Sequence, residues 1–428
     1  MENENKKRGR PKKQKNMNSP LARRLRELSG TMTHQEIADG VGISRQTIGQ
    51  FLLGNTQPDT ETLCKLADFF KVSTDYLLGR TDVKSADTTE SHGKCLTAII
   101  EGIPAGFKID TDFINSELKR RQGGYGRGER MKIESDTVEI TSGVRFGKTL
   151  GSPVTLVIQN KDFENWQKIM STNPEDFTDE KSFSKYRPGH ADYAGSIKYN
   201  QTDLRNILER SSARKTAIEV AVGAVAKLML KQFEITCSSK IIQIGNGKTE
   251  EEFHKEIDKA KEIGDTLGGK FEIVYKNLPV GLGSYVHWDR MLDGKIAQVI
   301  MSIPAVKAVS IGNNNAYKML GSEFHDQMYL KDGKIVRKTN NAGGIEGGMT
   351  NGEPLVVTAI MKPIPTLRKP LNTVDAKTME QTEAHFERSD TCAVEACSVV
   401  AENRIACVLI DEILMKFGGD NLNEVLRT

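Results

Sequence analysis

Four short arginine-bearing stretches define the chemistry this sequence can attempt. Arg120, Arg121, Arg127 and Arg130 fall in the glycine-rich run RRQGGYGRGER, and Arg187 precedes His190 in RPGHADY. Arg210 and Arg214 bracket RSSAR, and Arg388 and Asp390 lie in ERSD. Guanidinium groups grip phosphates and carboxylates through paired hydrogen bonds, so the pattern suits a small, multiply anionic substrate. The competing reading is solvated loop arginines, and spacing alone does not decide whether the four stretches converge. Histidines stand at 34, 92, 190, 254, 287, 325 and 385, none at a metal-ligand spacing such as HExxH, so no metal site is expected. His92 (Glu-Ser-His-Gly) and His190 (Pro-Gly-His-Ala-Asp) sit in glycine-bounded turns, where an imidazole can exchange a proton with a ligand near neutral pH. A structural histidine is the bland alternative for each. P-loop, GxSxG and complete dinucleotide-binding constellations do not occur. The residues alone stop at an α/β enzyme handling an anionic substrate.

The elements that must position these groups follow from the chain's organisation. Its 428 residues allow two to four domains at ~100–200 residues each. Residues 1–18 are polar and patternless, residues 19–82 carry short amphipathic helices, residues 83–90 form a polar linker, and residues 91–428 are glycine-rich and mixed. The formal net charge of +3 conceals an asymmetry. Seven cations against Glu2 and Glu4 give the first 15 residues +5, leaving the rest at −2, so a polyanion is the natural partner of the tail. No run approaches the ~18 apolar residues of a membrane span, and the start has no apolar leader. Six cysteines without CxxC pairing suggest reduced thiols and a cytoplasmic protein.

Within 19–82, Leu21, Leu25 and Leu28 line one face of a first helix. Thr33 and Glu36 form a capping box for a second, which buries Ile37, Ala38 and Val41. Ser44 caps a third, with Ile48, Phe51 and Leu52 inward and Arg45, Gln46, Thr47 and Gln50 polar. Leu63, Leu66, Phe69 and Phe70 mark a fourth helix, and Tyr76, Leu77 and Leu78 a fifth. Glutamine can read adenine and arginine guanine or phosphate, so the third helix is a candidate DNA reader; a plain helical packing module is the alternative. The segments THQEIADGVGISRQTIGQFLLGNTQPDTETLCKLADFF and KVSTDYLLGRTD resemble the Cro/C1-type repressor family, which implies duplex DNA as partner. The tail sequence KRGRPKK, with Arg8 and Arg10, resembles an AT-hook that lies in a narrow minor groove. Its other reading is a polybasic arm that binds through counterion release.

Residues 91–428 resemble chorismate synthase through many ordered motifs. They include SHGKCLTAIIEGIPAG, RRQGGYGRGERM, VEITSGVRFGKTLGSPV, RPGHADYAGSIKY, ERSSARKTA, GGIEGGMTNGEP, MKPIPT and ERSDTCAVEA. The resemblance implies an α+β fold, a β-α-β sandwich with helices between sheets, assembled as a homotetramer. It implies a lyase that converts 5-enolpyruvylshikimate 3-phosphate to chorismate and phosphate with reduced FMN. By the same resemblance His92 and His190 are general acids, and Asp390 serves flavin-linked proton transfer. Arg121, Arg127, Arg187, Arg214 and Arg388 hold the substrate's anions, with NADPH implied at Arg121 and Arg127 in bifunctional members. FMN falls to Arg210, Ser211, Ser212, Ile303, Pro304, Gly347, Lys362, Pro363, Ile364, Pro365, Thr366 and Arg388.

The sequence departs from the family pattern at several points. The usual first strand and Phe-Gly before Glu-Ser-His-Gly are missing where the repressor-like block joins, which bears on the placement of His92 and on the sheet edge. Asn200 replaces a usual Gly, Lys215 a Glu, Asn341 an Arg or His, and Glu395 a Pro. Two functions of different class follow: a chorismate synthase with a DNA-binding appendage, or a transcriptional regulator whose enzyme-like domain senses FMN or a shikimate-pathway ligand. The retained histidine, arginines and KPIPT favour the first; the missing strand favours the second.

Overall fold

The computed structural model describes residues 20–30, 32–70, 72, 77, 90–128, 135–386 and 389–427. Arg8 and Arg10, most of the linker, Tyr76, Leu78, Arg130 and Arg388 lie outside the described residues. The chain divides into two compact units, Met1–Ser85 and Ala86–Thr428.

The small unit is built from α1 (Pro20–Ser29), α2 (His34–Val41), α3 (Arg45–Leu52) and α4 (Thr60–Phe70). Reciprocal capping starts α2: the Thr33 N–H donates to Glu36 Oε2 at 2.7 Å, and the Glu36 N–H to Thr33 Oγ1 at 3.3 Å. Gly42, at φ 75°, ends it, and the Thr47 N–H donates to Ser44 Oγ at 3.1 Å to open α3. Leu21, Leu25, Ile37, Val41, Ile48, Phe51, Leu52, Leu66 and Leu77 form its core, with Leu28, Leu63, Phe69 and Phe70 half-buried around them.

The large unit opens with β1 (Cys95–Ile100), α5 (Thr111–Gln122), β2 (Val138–Ser142) and β3 (Val154–Gln159). It continues through α6 (Asp192–Tyr199), α7 (Arg205–Ser211), α8 (Thr216–Lys231), β4 (Thr236–Ile244), α9 (Glu250–Glu262) and β5 (Gly269–Lys276). Then come α10 (Leu292–Met301), β6 (Val306–Ile311), β7 (Leu355–Met361) and α11 (Val394–Phe417). Two antiparallel sheets result, ordered β1-β3-β2 and β4-β5-β7-β6. Helix α8 packs on β1 and β3, α11 on β4 and β5, and the two helices on each other. This is the expected sandwich with helices inside. Such helices need apolar residues all round, and α8 buries Ile218, Val220, Val225, Leu228, Met229 and Leu230 together with its alanines. Gly223 allows the α8–α11 crossing, because a Cβ there would lie 2.3 Å from Asn403 Cβ.

Charge is also buried at this crossing. Glu402 on α11 accepts from Arg120 of α5 at 2.8 Å and pairs with Lys227 of α8, and both cations also meet Glu117. Burial opposes ionisation of Glu402, but the Arg120 hydrogen bonds and the Lys227 charge outweigh it and bring its carboxyl down to about 2. Strand β1 forms the edge of its sheet, paired with β3 alone among the described residues.

Candidate active site

His190 is assembled almost entirely from its own neighbourhood. The turn Arg187-Pro188-Gly189 closes with the His190 N–H donating to Arg187 O at 3.1 Å, and Gly189 takes φ 80°. Asp192, fully buried at the start of α6, accepts from Arg187 Nε and Nη2 at 2.8 Å each and lies 2.6 Å from His190 Nδ1. Burial disfavours the Asp192 carboxylate, yet the hydrogen bonds from Arg187 and His190 hold it well below the usual carboxylate range. A carboxylate at Nδ1 selects the Nδ1–H form of the ring and leaves Nε2 for proton transfer. Asn200, in place of the usual Gly, ends α6 at φ 50°, a left-handed position that asparagine tolerates.

His92 is held from far along the chain. Glu209 on α7 accepts from the His92 N–H through Oε2 and contacts Nδ1 through Oε1, both at 2.8 Å, while Glu209 O accepts from the Ser91 N–H. The ring stacks on Trp166, with centroids 3.8 Å apart and planes 21° from parallel. Both His92 and Glu209 are buried. The altered junction therefore does not leave His92 unanchored: its partners come from residues 160–209.

A run of contacts links the two histidines. Ser91 Oγ donates to Ser212 Oγ at 3.1 Å, beside Ala213, whose carbonyl accepts from Arg121 Nη2 at 3.0 Å. Arg121 O accepts from Arg127 Nη1, and Arg127 pairs with Asp390 at 3.0 Å. Ser389 Oγ donates to Thr366 O at 2.8 Å, which ties the Asp390 loop to Lys362–Thr366. Lys362 Nζ donates to Gly189 O, one residue before His190. What favours glycine at 189 is its left-handed φ of 80°; a Cβ there would sit 3.3 Å from the flexible Nζ. Ile303 and Pro304 adjoin through Ala305 O, which accepts from the Lys362 N–H at 2.9 Å. Gly347 belongs to a different set of contacts: its turn is tied to the 281–292 segment by the Leu292 N–H donating to Gly348 O.

The arginines differ in how they are engaged. Arg214 donates to Asp136 at 2.7 Å and to Asn160 at 2.8 and 3.0 Å, and Arg187 is bound by Asp192. Both guanidinium groups are thus engaged by buried carboxylates. Arg121 donates to the neutral acceptors Thr216 Oγ1 and Ala213 O, while Asp136 stands off its Nη1 at 3.9 Å. An anionic ligand can displace such neutral contacts more readily than a close ion pair. Ser211 donates to Ile207 O, and Arg210 is exposed beside it. Burial, and behind it the positive charge of Lys307, pull the Lys362 pKa down, so an anion at Lys362 would be stabilising. That donor set fits FMN. Glu395, in place of the usual Pro, accepts from the Tyr125 N–H at 3.2 Å and steadies the Arg127 loop.

Sequence reasoning missed Glu209, Asp192, Asp136, Asn160, Arg205 and Trp166. Asp192 lies inside RPGHADY and Glu209 opens ERSSARKTA, so a carboxylate within each motif was the available signal. In the small unit, Arg45 and Gln46 are exposed on α3, Thr47 Oγ1 lies 2.8 Å from Ser44 Oγ, and Gln50 Oε1 accepts from Asn55 at 2.9 Å.

Comparison with known proteins places both units in families. Residues 84–414 match the family model described as chorismate synthase, and residues 23–77 one described as helix-turn-helix. The chain is 56% identical over 340 residues to the chorismate synthase of Thermoanaerobacter pseudethanolicus, covering 79% of this chain and 95% of that relative. It is 50% identical over 374 residues to that of Aquifex aeolicus, covering 79% and 94%. A solved structure, "Crystal Structure of Chorismate Synthase", aligns with TM-score 0.64 and 41% identity over 81% of this chain and 95% of that one.

Proposed function

The chain belongs to the chorismate synthase family, and on that premise we propose that its large unit converts 5-enolpyruvylshikimate 3-phosphate to chorismate and phosphate. The reaction is a 1,4-elimination, a carbon–oxygen lyase step. Its difficulties are an anionic leaving group and a C–H that no strong base here can take. Reduced FMN, when bound, supplies the transient electron density that addresses the second.

The protein's residues address the first. Arg121 and Arg127 hold the anionic substrate at the face of α5, with Asp390 orienting Arg127. His92 holds a proton on Nε2 for the departing phosphate, oriented by Glu209, and His190 holds one on Nε2, oriented by Asp192. Lys362–Thr366, Arg210, Ser211, Ser212, Ile303, Pro304, Gly347 and Arg388 would hold FMN, with Lys362 the cation available to its phosphate. NADPH, where it serves as reductant, is met by Arg121 and Arg127. The observation that carries this reading is the series of contacts, joined by short stretches of chain, from Ser91 beside His92 through Arg121, Arg127 and Asp390 to Lys362 and Gly189 beside His190.

The small unit is the duplex DNA-binding part, reading bases with Arg45, Gln46, Thr47 and Gln50 and contacting phosphates through the tail that carries Arg8 and Arg10. A homotetramer accounts for exposed apolar side chains on the large unit, among them Tyr285, Val286, Trp288, Leu330 and Ile335. The cytoplasm is its compartment, in keeping with thiols that burial keeps inert: Cys237, Cys397 and Cys407 are pushed up to about 12. No helix among the described residues is long and apolar enough to cross a membrane. The test is an anaerobic assay with supplied reduced FMN. Chorismate and phosphate should appear in equal amounts; no product under those conditions overturns the enzyme reading.

A further inference from the structure

His92 follows a junction that lacks the family's usual lead-in, yet its ring is fixed. Its neighbours explain how. Asn160 is stitched to the residues just after His92: its N–H donates to Lys94 O at 3.1 Å and its Nδ2 to Gly93 O at 2.7 Å. The same segment then makes a single short turn, Lys161–Asn165, and delivers Trp166, whose Nε1 donates to Asp162 Oδ2 at 3.0 Å. The indole is thus held at its own edge and lies flat on the imidazole, 3.8 Å between centroids. Arg205 sits over the indole at 5.3 Å and lies 3.7 Å from Glu209, the carboxylate that grips His92 Nδ1. Arg205 Nε donates to Lys181 O, and Lys181 Nζ lies 5.8 Å over the same indole. Among the described residues, Glu209, Asp162, Arg205 and Lys181 bring charge to the stack.

We propose that Trp166 is a positioning residue for His92: the indole fixes the plane of the imidazole, Glu209 fixes its Nδ1, and Arg205 braces both. The side-chain partners that aim the proton-bearing Nε2, Trp166 and Glu209, both follow His92 in the chain. A flat aromatic partner restricts ring rotation that a hydrogen bond at Nδ1 alone would leave free. This proposal rests on the reading of His92 as the acid for the departing phosphate.

Two readouts test it, one of them independent of turnover. The chain has two tryptophans, so a W288F background leaves Trp166 as the sole indole. A protonated imidazole in contact with an indole quenches its emission. At one fixed pH the added change His92→Gln, which takes the ring off the indole face, should therefore raise the emission of the full-length W288F protein. An emission spectrum unchanged by His92→Gln overturns the contact. In the anaerobic assay Trp166→Leu should lower kcat roughly 10–100-fold, the scale of a misplaced catalytic group, with KM little changed. Trp166→Phe, which keeps a flat ring, should restore most of kcat. Trp166→Leu at the parent kcat, or a Phe variant no better than Leu, overturns the positioning role. If Trp166→Leu fails to fold, the W288F emission comparison and the Phe variant still decide. If His92→Gln itself turns over at the parent rate, the acid reading of His92 falls, while the emission change still reports the contact.

Discussion

The two histidine sites solve one problem by opposite routes. His190 takes its orienting carboxylate from two residues away and its guanidinium from three, inside a single turn. His92 takes its carboxylate from 117 residues away and its stacking partner from a separate segment. The first site forms whenever its turn forms; the second exists only once α7 and the 160–166 segment have docked. A local constellation survives rearrangement elsewhere in the chain. An assembled one depends on the docked elements, and here those elements lie on the intact side of the altered junction.

The largest expected effect tests whether the two sites are equals. His190→Ala should lower kcat by ~10²–10⁴, as for the loss of one general acid, while FMN and substrate still bind. His92→Ala should cause a loss of similar order, since Glu209 and Trp166 position that ring. Full activity of His190→Ala in steady-state assays would break the acid assignment. An effect confined to His190 would mean that the assembled site is silent.

Glu402 extends the comparison to a buried network with no part in the chemistry. Its carboxyl is lowered to about 2 in the fold, against ~4.3 for an unfolded glutamate. A group lowered by folding contributes stability that is fully present above the unfolded value and is lost as pH falls through the folded one. The urea midpoint of the large unit should therefore be steady near neutrality and drop between about pH 4.5 and 2. Glu402→Gln should cost about 3 kcal/mol at pH 7, the low end for breaking a buried pair, because Glu117 still meets both cations. It should also flatten the acid limb; an unchanged limb would show that other carboxylates dominate it.

Smaller effects belong to the small unit, whose signals are all local. Replacing Gln46, Thr47 and Gln50 with Ala should erase base preference, at ~1–3 kcal/mol per base read, without unfolding the helices. Unchanged preference at fixed salt would remove α3 as the reader. Deleting residues 1–15 should weaken binding to all sequences and make the salt slope shallower by about 0.9 for each phosphate the tail had neutralised. Smallest of all, Ser44→Ala should cost ~1 kcal/mol in thermal unfolding of that unit, the worth of one helix cap.

Legibility followed the same divide. The capping box at Thr33 and Glu36, the cap at Ser44 and the glycine after α2 act within four residues, so they could be read directly. The tightness of the RPGHADY turn was equally local. Asp136, Asn160 and Arg205 gave no signal, because their roles arise only when distant segments meet.

The sequence by itself determined the division into a helical unit and a mixed one, the capped helices, the sandwich class by resemblance, and the residue types of the site. Tertiary structure decided what those residues are bonded to. It turned Arg187 and Arg214 toward buried carboxylates, gave Arg121 hydrogen bonds to Thr216 and Ala213, and brought Glu209 and Trp166 to His92. The physical reason is range. Caps and turns form between neighbours whose separation the chain fixes in advance, whereas a buried charge accepts only the partner that packing delivers, and packing is a property of the whole core.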